Sequence, residues 1–499
     1  MVAVEYNLAA ESVLRRVVDA ELVRHRMYVA GRWLSASDGG LTPVRNPATG
    51  QWLGSVASGG AVEAEAAVQA AAEAWPAWRA LTPDMRGAIL RAWAARMRDA
   101  REDLALIMTL EQGKPLAEAR GEIDYAASFI DWFAEEGRRA YGETIPSHLP
   151  GRRLLTVRQP IGVTAAITPW NFPSAMITRK AAAALAAGCP MIVRPADETP
   201  FSALALAVLA ERAGVPAGVF SVITGDARAI AQIFTTSDTV RALSFTGSTE
   251  VGRLLLRDCA DRIKRVSLEL GGHAPFIVFD DADLDAAARL AVAAKFQTSG
   301  QDCLAANRIF VQREAYERFV ERFVELTAAL RVGNGLEPNV QIGPLISERA
   351  LEHCERQVAD AVAKGARLAL GGARHQAGAL FFSPTVLADA TRAMLVCREE
   401  TFGPVAALLP FDAEADAIDA ANDTIYGLAA YVCTRDLSRA LRMSEALEYG
   451  MIGVNTERMT GPPIPFGGVK QSGLGREGSR HGLDEYTQIK YVCMAVDAV

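Results

Sequence analysis

No CxxC pair occurs in the 499 residues, which removes the redox and zinc motifs built on closely spaced thiols. The seven cysteines, at 189, 259, 303, 354, 397, 433 and 493, are scattered. In a chain of this size they read as reduced thiols of a cytoplasmic protein. HExxH and HxxxH spacings are equally missing among the six histidines, so no metal is expected. The adjacent His353 and Cys354 lie in a polar, helix-like stretch and read as an exposed surface pair.

Positive charge is not in excess: 52 Lys and Arg against 59 Asp and Glu leave a net charge of -7. Such a chain has no general attraction to phosphate backbones or anionic lipid, so nucleic acid is not an expected partner. Apolar runs such as AAAALAAGCPMIV are broken by Gly, Pro or charge, well before the roughly 20 residues that span a bilayer. The N-terminal MVAVEYNLAAESVLRRVVDAELVRHR is charged throughout and has no apolar signal core, so neither a membrane partner nor a secretory signal is expected. What is present is ample core material, since half the residues are hydrophobic and 22% are charged. At this length the chain exceeds one hydrophobic core and predicts about two to four lobes.

From residue 61 to about 140 the apolar residues recur every three or four, which predicts surface-packed helices. After about 150 the texture changes. GVTAAITPW, PMIVRPA and VFSVITG read as strands, separated by the helical ITRKAAAALAAG and FSALALAVLAERAG. Strand and helix alternating at this spacing predict βαβ units, a mostly parallel sheet and a nucleotide-binding lobe. HAPFIVFDD, ANRIFVQ, SPTVLADA, FGPVAALLPF and AAYVCT supply strands for a second α/β lobe. The terminal DEYTQIKYVCMAV alternates polar and apolar residues and predicts a strand whose partner lies elsewhere in the chain or on another subunit.

Four stretches could carry chemistry. Cys303 follows the Gly-containing turn Gly300-Gln301-Asp302, which would expose it beside a backbone N–H. A lone cysteine is more often a small buried hydrophobe, so position alone does not decide. Glu269 ends a strand and faces Gly271 and Gly272, where missing side chains admit a ligand and a carboxylate can act as general base; the plainer reading is a solvated strand end. Asn171, in the proline-stiffened Thr168-Pro169-Trp170-Asn171-Phe172-Pro173, is either a turn cap or a neutral donor to an oxyanion. FTGSTEVG at 245–252 joins a strand to a helix. Gly247 and Gly252 do not complete GxGxxG, but the helix N-terminus with Ser248 could hold a pyrophosphate oxygen.

In series, TPWNFP, the RP after a strand, FTGSTEVG, LELGGH, GQDC, EETFGPV and PFGGVKQSGLGREG resemble the aldehyde dehydrogenase superfamily over nearly the whole chain. Within it, MITRKAAAALAAGC, ETPFSALALAVLAERAGVPAGVF and KQSGLGREGS resemble the succinate-semialdehyde dehydrogenase group. The resemblance implies an α/β fold with a Rossmann-type cofactor lobe (1–141 and 162–271), a second α/β catalytic lobe (272–456) and a small oligomerisation sheet (142–161 and 482–499) in a homodimer or homotetramer. It implies Cys303 as nucleophile, Glu269 as general base, and Asn171 with the Cys303 N–H as oxyanion hole. Attack by the thiolate, expulsion of hydride to nicotinamide and hydrolysis of the thioester then follow in order. Lys180 and Glu477 match positions used for proton relay or site organisation. Trp170, Gly247 and Ser248 match positions near the pyrophosphate, and Glu400 with Phe402 those near the nicotinamide riboside.

Departures from the family pattern bear on cofactor and substrate. Arg194 stands where lysine is usual, and Asp197 where a glutamate often binds ribose. An acid there should accept from ribose hydroxyls and repel a 2′-phosphate, while Arg194 could attract one; NAD is favoured over NADP. The substrate carboxylate is typically held by two arginines and a serine. Arg179 matches the first arginine, but Gln297 and Thr460 occupy the other two positions. A semialdehyde such as succinate semialdehyde is the expected substrate. Losing one guanidinium, however, removes about 1.5–3 kcal/mol of charge-assisted contact, so it should bind weakly or give way to the alternative, an uncharged aliphatic or aromatic aldehyde. Ala305 replaces the second cysteine of many relatives, which excludes a disulfide between those two positions. A CoA-acylating enzyme would generally lack Glu269; a non-catalytic scaffold would not need Cys303, Glu269 and Asn171 together.

Overall fold

The computed structural model describes residues 14–496. Residues 1–13 of the charged N-terminal segment and the last three of the C-terminal one lie outside the described residues.

An eight-stranded sheet is centred on the predicted βαβ run. Its order is Gly473–Leu474, Arg265–Glu269, Val240–Thr246, Val163–Ile167, Met191–Arg194, Phe220–Val222, Met27–Val29 and Arg32–Leu34. The middle five strands are parallel and the outer pairings antiparallel. The central strands are buried along nearly their whole length because helices cover both faces, which is why they read as unbroken apolar runs. The helix Ala175–Ala187 stops at Gly188, whose φ of 95° closes it in the left-handed conformation. Successive strands run outward from Val163–Ile167 on one side, and Val240–Thr246 returns on the other. The topological switch point, where such sheets leave a crevice beyond their carboxyl ends, therefore lies between these two strands.

The second sheet has seven strands: Arg367–Leu370, Thr385–Ala388, Val405–Phe411, Ala306–Gln312, Ala274–Val278, Ala429–Cys433 and Met451–Val454. All its pairings are parallel except the first. Separate hydrophobic clusters fill both faces of each sheet. The terminal strand, Thr487–Ala495, finds its partner within the chain: it pairs with Arg152–Pro160 over nine residues in a three-stranded sheet with Thr144–Ile145.

The predicted helices of residues 61–140 include Pro83–Asp99 and Arg101–Gln112, divided at Ala100 (ψ 15°); Asp103 then accepts from the N–H groups of Val18 and Asp19. One expectation differs from the structure. His353 and Cys354 do lie on a helix, Glu348–Ala363, but not as an exposed pair. The Cys354 side chain is fully buried under Gly403, and a His353 ring nitrogen lies 2.9 Å from the Glu400 carbonyl. Among the described residues, no helix is long and apolar enough to cross a membrane, and no group of three or more His, Cys, Asp or Glu could hold a metal ion.

Candidate active site

The carboxyl edge of the first sheet meets the amino edge of the second. Glu269 is the last residue of Arg265–Glu269, and the Thr168–Pro173 loop follows Val163–Ile167. Opposite them, Gly271-Gly272, Cys303 and Glu400–Phe402 precede Ala274–Val278, Ala306–Gln312 and Val405–Phe411. Cys303 sits in the wall of a cavity of about 1070 Å³, shared with Phe172, Arg179, Gln297 and Thr460.

The chain reaches Cys303 through an unusual turn. After the helix Leu284–Phe296, Thr298, Ser299 and Gly300 all adopt positive φ (49°, 58° and 74°). Such residues each cost about 1–3 kcal/mol when not glycine and persist only if held from outside. Glu118 accepts from the Thr298 N–H at 3.0 Å, Ser299 Oγ accepts from the Gly343 N–H and donates to its carbonyl, and Gln301 Oε1 accepts from Ile346. At Gly300 a Cβ would lie 2.2 Å from the Gly403 carbonyl oxygen. The glycine pair is also explained by close approach. A Cβ at Gly272 would fall 2.0 Å from the Cys303 carbonyl oxygen, and one at Gly271 2.7 Å from a Glu400 oxygen.

Asn171 is joined to this turn directly, its Nδ2 donating to the Gln301 carbonyl at 3.0 Å. Its own carbonyl accepts from Lys114 Nζ at 2.7 Å. Lys114 pairs with Glu122 at 2.6 Å, both fully buried, and Glu122 accepts from the N–H groups of Ser174 and Ala175 at the start of the following helix. Neither Lys114 nor Glu122 was singled out from the sequence; only the turn after Gln112 hints at them. Removing one member strands a buried charge, which costs about 3–5 kcal/mol. Lys114→Ala should accordingly lose that much stability in chemical denaturation, and Lys114→Met with Glu122→Gln should recover much of it.

The carboxylates divide by environment. Neither Glu269 oxygen has a hydrogen-bond partner. Burial, reinforced by the charge of Glu477, pushes its pKa well above the ordinary value against the pull of Arg179, Lys180 and Arg476. Burial acts on Glu477 too, but the charges of Lys180 and Arg179 outweigh it and hold that carboxyl below the usual range. Glu477 accepts from Lys180 and lies 2.8 Å from an Arg179 nitrogen. The two predicted relay positions thus form one buried cluster with Arg179. Burial, with the neighbouring Asp302 and Glu400, raises the Cys303 thiol well above its ordinary pKa.

The residues expected to hold a dinucleotide line the switch point. Trp170 and Phe402 meet edge to face, ring centres 5.6 Å apart, and Glu400 accepts from the Gly272 N–H at 2.8 Å. The Gly247 N–H donates to the Glu269 carbonyl, and Ser248 caps the helix Thr249–Ala260 by accepting from Val251. Thr168 Oγ1, Thr246 Oγ1 and Arg194 Nε are buried without partners at the carboxyl ends of adjacent strands, which fits a polar ligand laid along this edge. Arg194 and Asp197 are not the independent groups expected from the sequence. One Arg194 nitrogen donates to both Asp197 and the Gly225 carbonyl at 2.7 Å, so the acid comes with its charge already balanced.

A thiol, an amide donor and a buried carboxylate beside a dinucleotide-type switch point define a cysteine-dependent α/β oxidoreductase. Residues 33–492 match the aldehyde dehydrogenase family, and the chain belongs to it. It is 57% identical over 478 residues to an NADP-dependent succinate-semialdehyde dehydrogenase of Escherichia coli, covering 96% of this chain and 99% of that one. It is 56% identical over 476 residues to a non-phosphorylating aspartate-semialdehyde dehydrogenase of Halomonas elongata (95% and 97% covered). A betaine aldehyde dehydrogenase of Staphylococcus aureus, solved with NAD+, superimposes with a TM-score of 0.93 at 33% identity, over 96% of this chain and 97% of that one.

Proposed function

We propose that this aldehyde dehydrogenase oxidises a short aldehyde with a distal carboxylate to the corresponding acid through a thioester on Cys303, with NAD or NADP as acceptor. The observation that carries this reading is Arg179. It is a buried arginine in the wall of the Cys303 cavity with Nε unpartnered, stacked 3.8 Å from the centre of the Phe466 ring. Glu477 takes one of its nitrogens, and the free Nε on the cavity side is left to hold a ligand carboxylate. The names of the Escherichia coli and Halomonas elongata relatives agree with it.

Cys303 adds to the carbonyl carbon, and the Asn171 amide with the Cys303 N–H steadies the oxygen that gains charge. A dinucleotide held by Trp170, Gly247, Ser248, Glu400 and Phe402 would supply the hydride acceptor for collapse of the adduct. Glu269, deprotonated, then takes a proton from water as the water oxygen adds to the thioester carbon, and the acid is freed as the carbon–sulfur bond breaks and Cys303 leaves as thiolate. Residues 1–141 with 162–271 serve the cofactor, 272–456 the thiol chemistry, and 142–161 with 482–499 self-association into a dimer or tetramer. Exposed Ile489 and Tyr491 on the terminal strand support that last assignment, and reduced thiols support a cytoplasmic location.

Initial rates of cofactor reduction with NAD and NADP, across semialdehydes, aliphatic aldehydes and benzaldehydes, test the reading with Cys303→Ala as control. Saturable, Cys303-dependent oxidation of semialdehydes is expected. Preference for uncharged aldehydes would reassign the pocket, and no reduction at all in folded, cofactor-binding protein would refute the activity.

A further inference from the structure

The cavity wall that carries Arg179 also carries two acids without an ion-pair partner, both with the pKa pushed up by burial, that of Glu118 to about 7. Asp302 immediately precedes the nucleophile, and Glu118 faces the same cavity. Asp302 accepts from the Leu304 N–H at 3.0 Å and from the Cys303 thiol. Glu118 accepts from the Thr298 N–H and hydroxyl. Among the described residues no cation lies within ion-pair distance of either acid. Lys114, whose charge reaches both, is committed to Glu122 and the Asn171 carbonyl. A simple dicarboxylic semialdehyde can satisfy Arg179 but must bring its own negative charge beside Asp302. Lys114, Arg289 and Arg458 also line the cavity, but none pairs with Asp302, and Gln297 adds no charge, so that repulsion is only partly offset.

We propose that Asp302, backed by Glu118, selects an aldehyde whose tail carries an ammonium group beside its carboxylate, that is, an amino-acid semialdehyde. The carboxylate goes to Arg179, whose Nε is free although another nitrogen pairs with Glu477, and the ammonium goes to Asp302, which accepts hydrogen bonds but has no ion pair. Asp302 reaches the thiol itself, so its carboxylate lies within a few bonds of any aldehyde carbon attacked by Cys303. That is where an amino group two carbons from the aldehyde carbon falls. The assignment rests on the proposed function and names the substrate class of that site.

Aspartate 4-semialdehyde and succinate semialdehyde differ only by the amino group, so the ratio of their kcat/KM values isolates it. The wild-type ratio is expected to favour the amino compound by about tenfold or more, as for a hydrogen bond to a charged partner, and to collapse towards one in Asp302→Asn. The ratio is the readout because removing a negative charge beside Cys303 also makes the thiol more acidic and alters both rates together. Protection of Cys303 from iodoacetamide by L-aspartate relative to succinate should follow the same pattern without turnover. A wild-type preference for succinate semialdehyde, or a ratio that Asp302→Asn leaves unchanged, overturns the proposal while leaving the proposed function intact. Absence of Cys303-dependent oxidation of every aldehyde overturns both.

Discussion

Replacing Glu269 by glutamine should leave one rapid equivalent of reduced cofactor per site and then slow turnover by about 10²–10⁴-fold, the usual contribution of a general base. Thioester formation needs the thiolate and the oxyanion donors, neither of which is Glu269. Hydrolysis needs a base, and Glu269 is a buried carboxylate with both oxygens unpartnered. Burial, first, and the charge of Glu477, second, raise its pKa well above the ordinary value. An acid shifted upward is a base only above its raised pKa, so the hydrolytic step of the wild-type protein should accelerate as pH rises. That dependence should vanish in the glutamine variant. The burst should keep a pH dependence of the same sign, because burial also raises the Cys303 thiol and thiolate appears only with rising pH. Stopped-flow traces of cofactor absorbance recorded as a function of pH separate the phases. Loss of the burst together with turnover would mean that Glu269 acts before the thioester, on Cys303 itself.

The parts of this site legible in the sequence are those where local chain chemistry and position coincide. Glu269 ends a strand and meets two glycines, and the structure explains both: a side chain at Gly272 would collide with the Cys303 carbonyl and one at Gly271 with Glu400. The parallel sheets were legible because strands covered on both faces must be continuously apolar. What was hidden depends on contacts between distant segments. The bond between Lys114 and the Asn171 carbonyl spans 57 positions and that between Glu118 and Thr298 spans 180, and no period or motif connects such pairs. The polar helix carrying His353 and Cys354 predicts exposure of both residues, which the structure does not bear out. The face carrying Cys354 is covered by the chain around Gly403, and helix periodicity cannot say what a later loop will cover. Arg194 and Asp197 differ in another way: read one at a time they are independent groups, although a spacing of three allows them to pair.

Asn171→Ala should lower the rate of the burst itself by about 10²–10³-fold, the cost of removing one oxyanion donor, with little change in KM. The argument is geometric. In the resting site Asn171 Nδ2 donates to the Gln301 carbonyl at 3.0 Å, which holds the amide against the turn leading to Cys303, and an amide has a second N–H to offer. The backbone at Asn171 is fixed from behind by Lys114, so the donor is in place before charge develops and little reorganisation is left for the reacting state. Asn171→Asp sharpens the test, since it preserves shape but sets a negative charge where the oxyanion forms, and should be slower than the alanine variant. Lys114→Ala provides the contrast: a loss of stability with a smaller loss in burst rate, because it shifts the donor without deleting it. A burst within a few-fold of wild type in Asn171→Ala, with the thiol still titrating normally, would assign the oxyanion to backbone N–H groups alone and reduce Asn171 to a brace for the Cys303 turn.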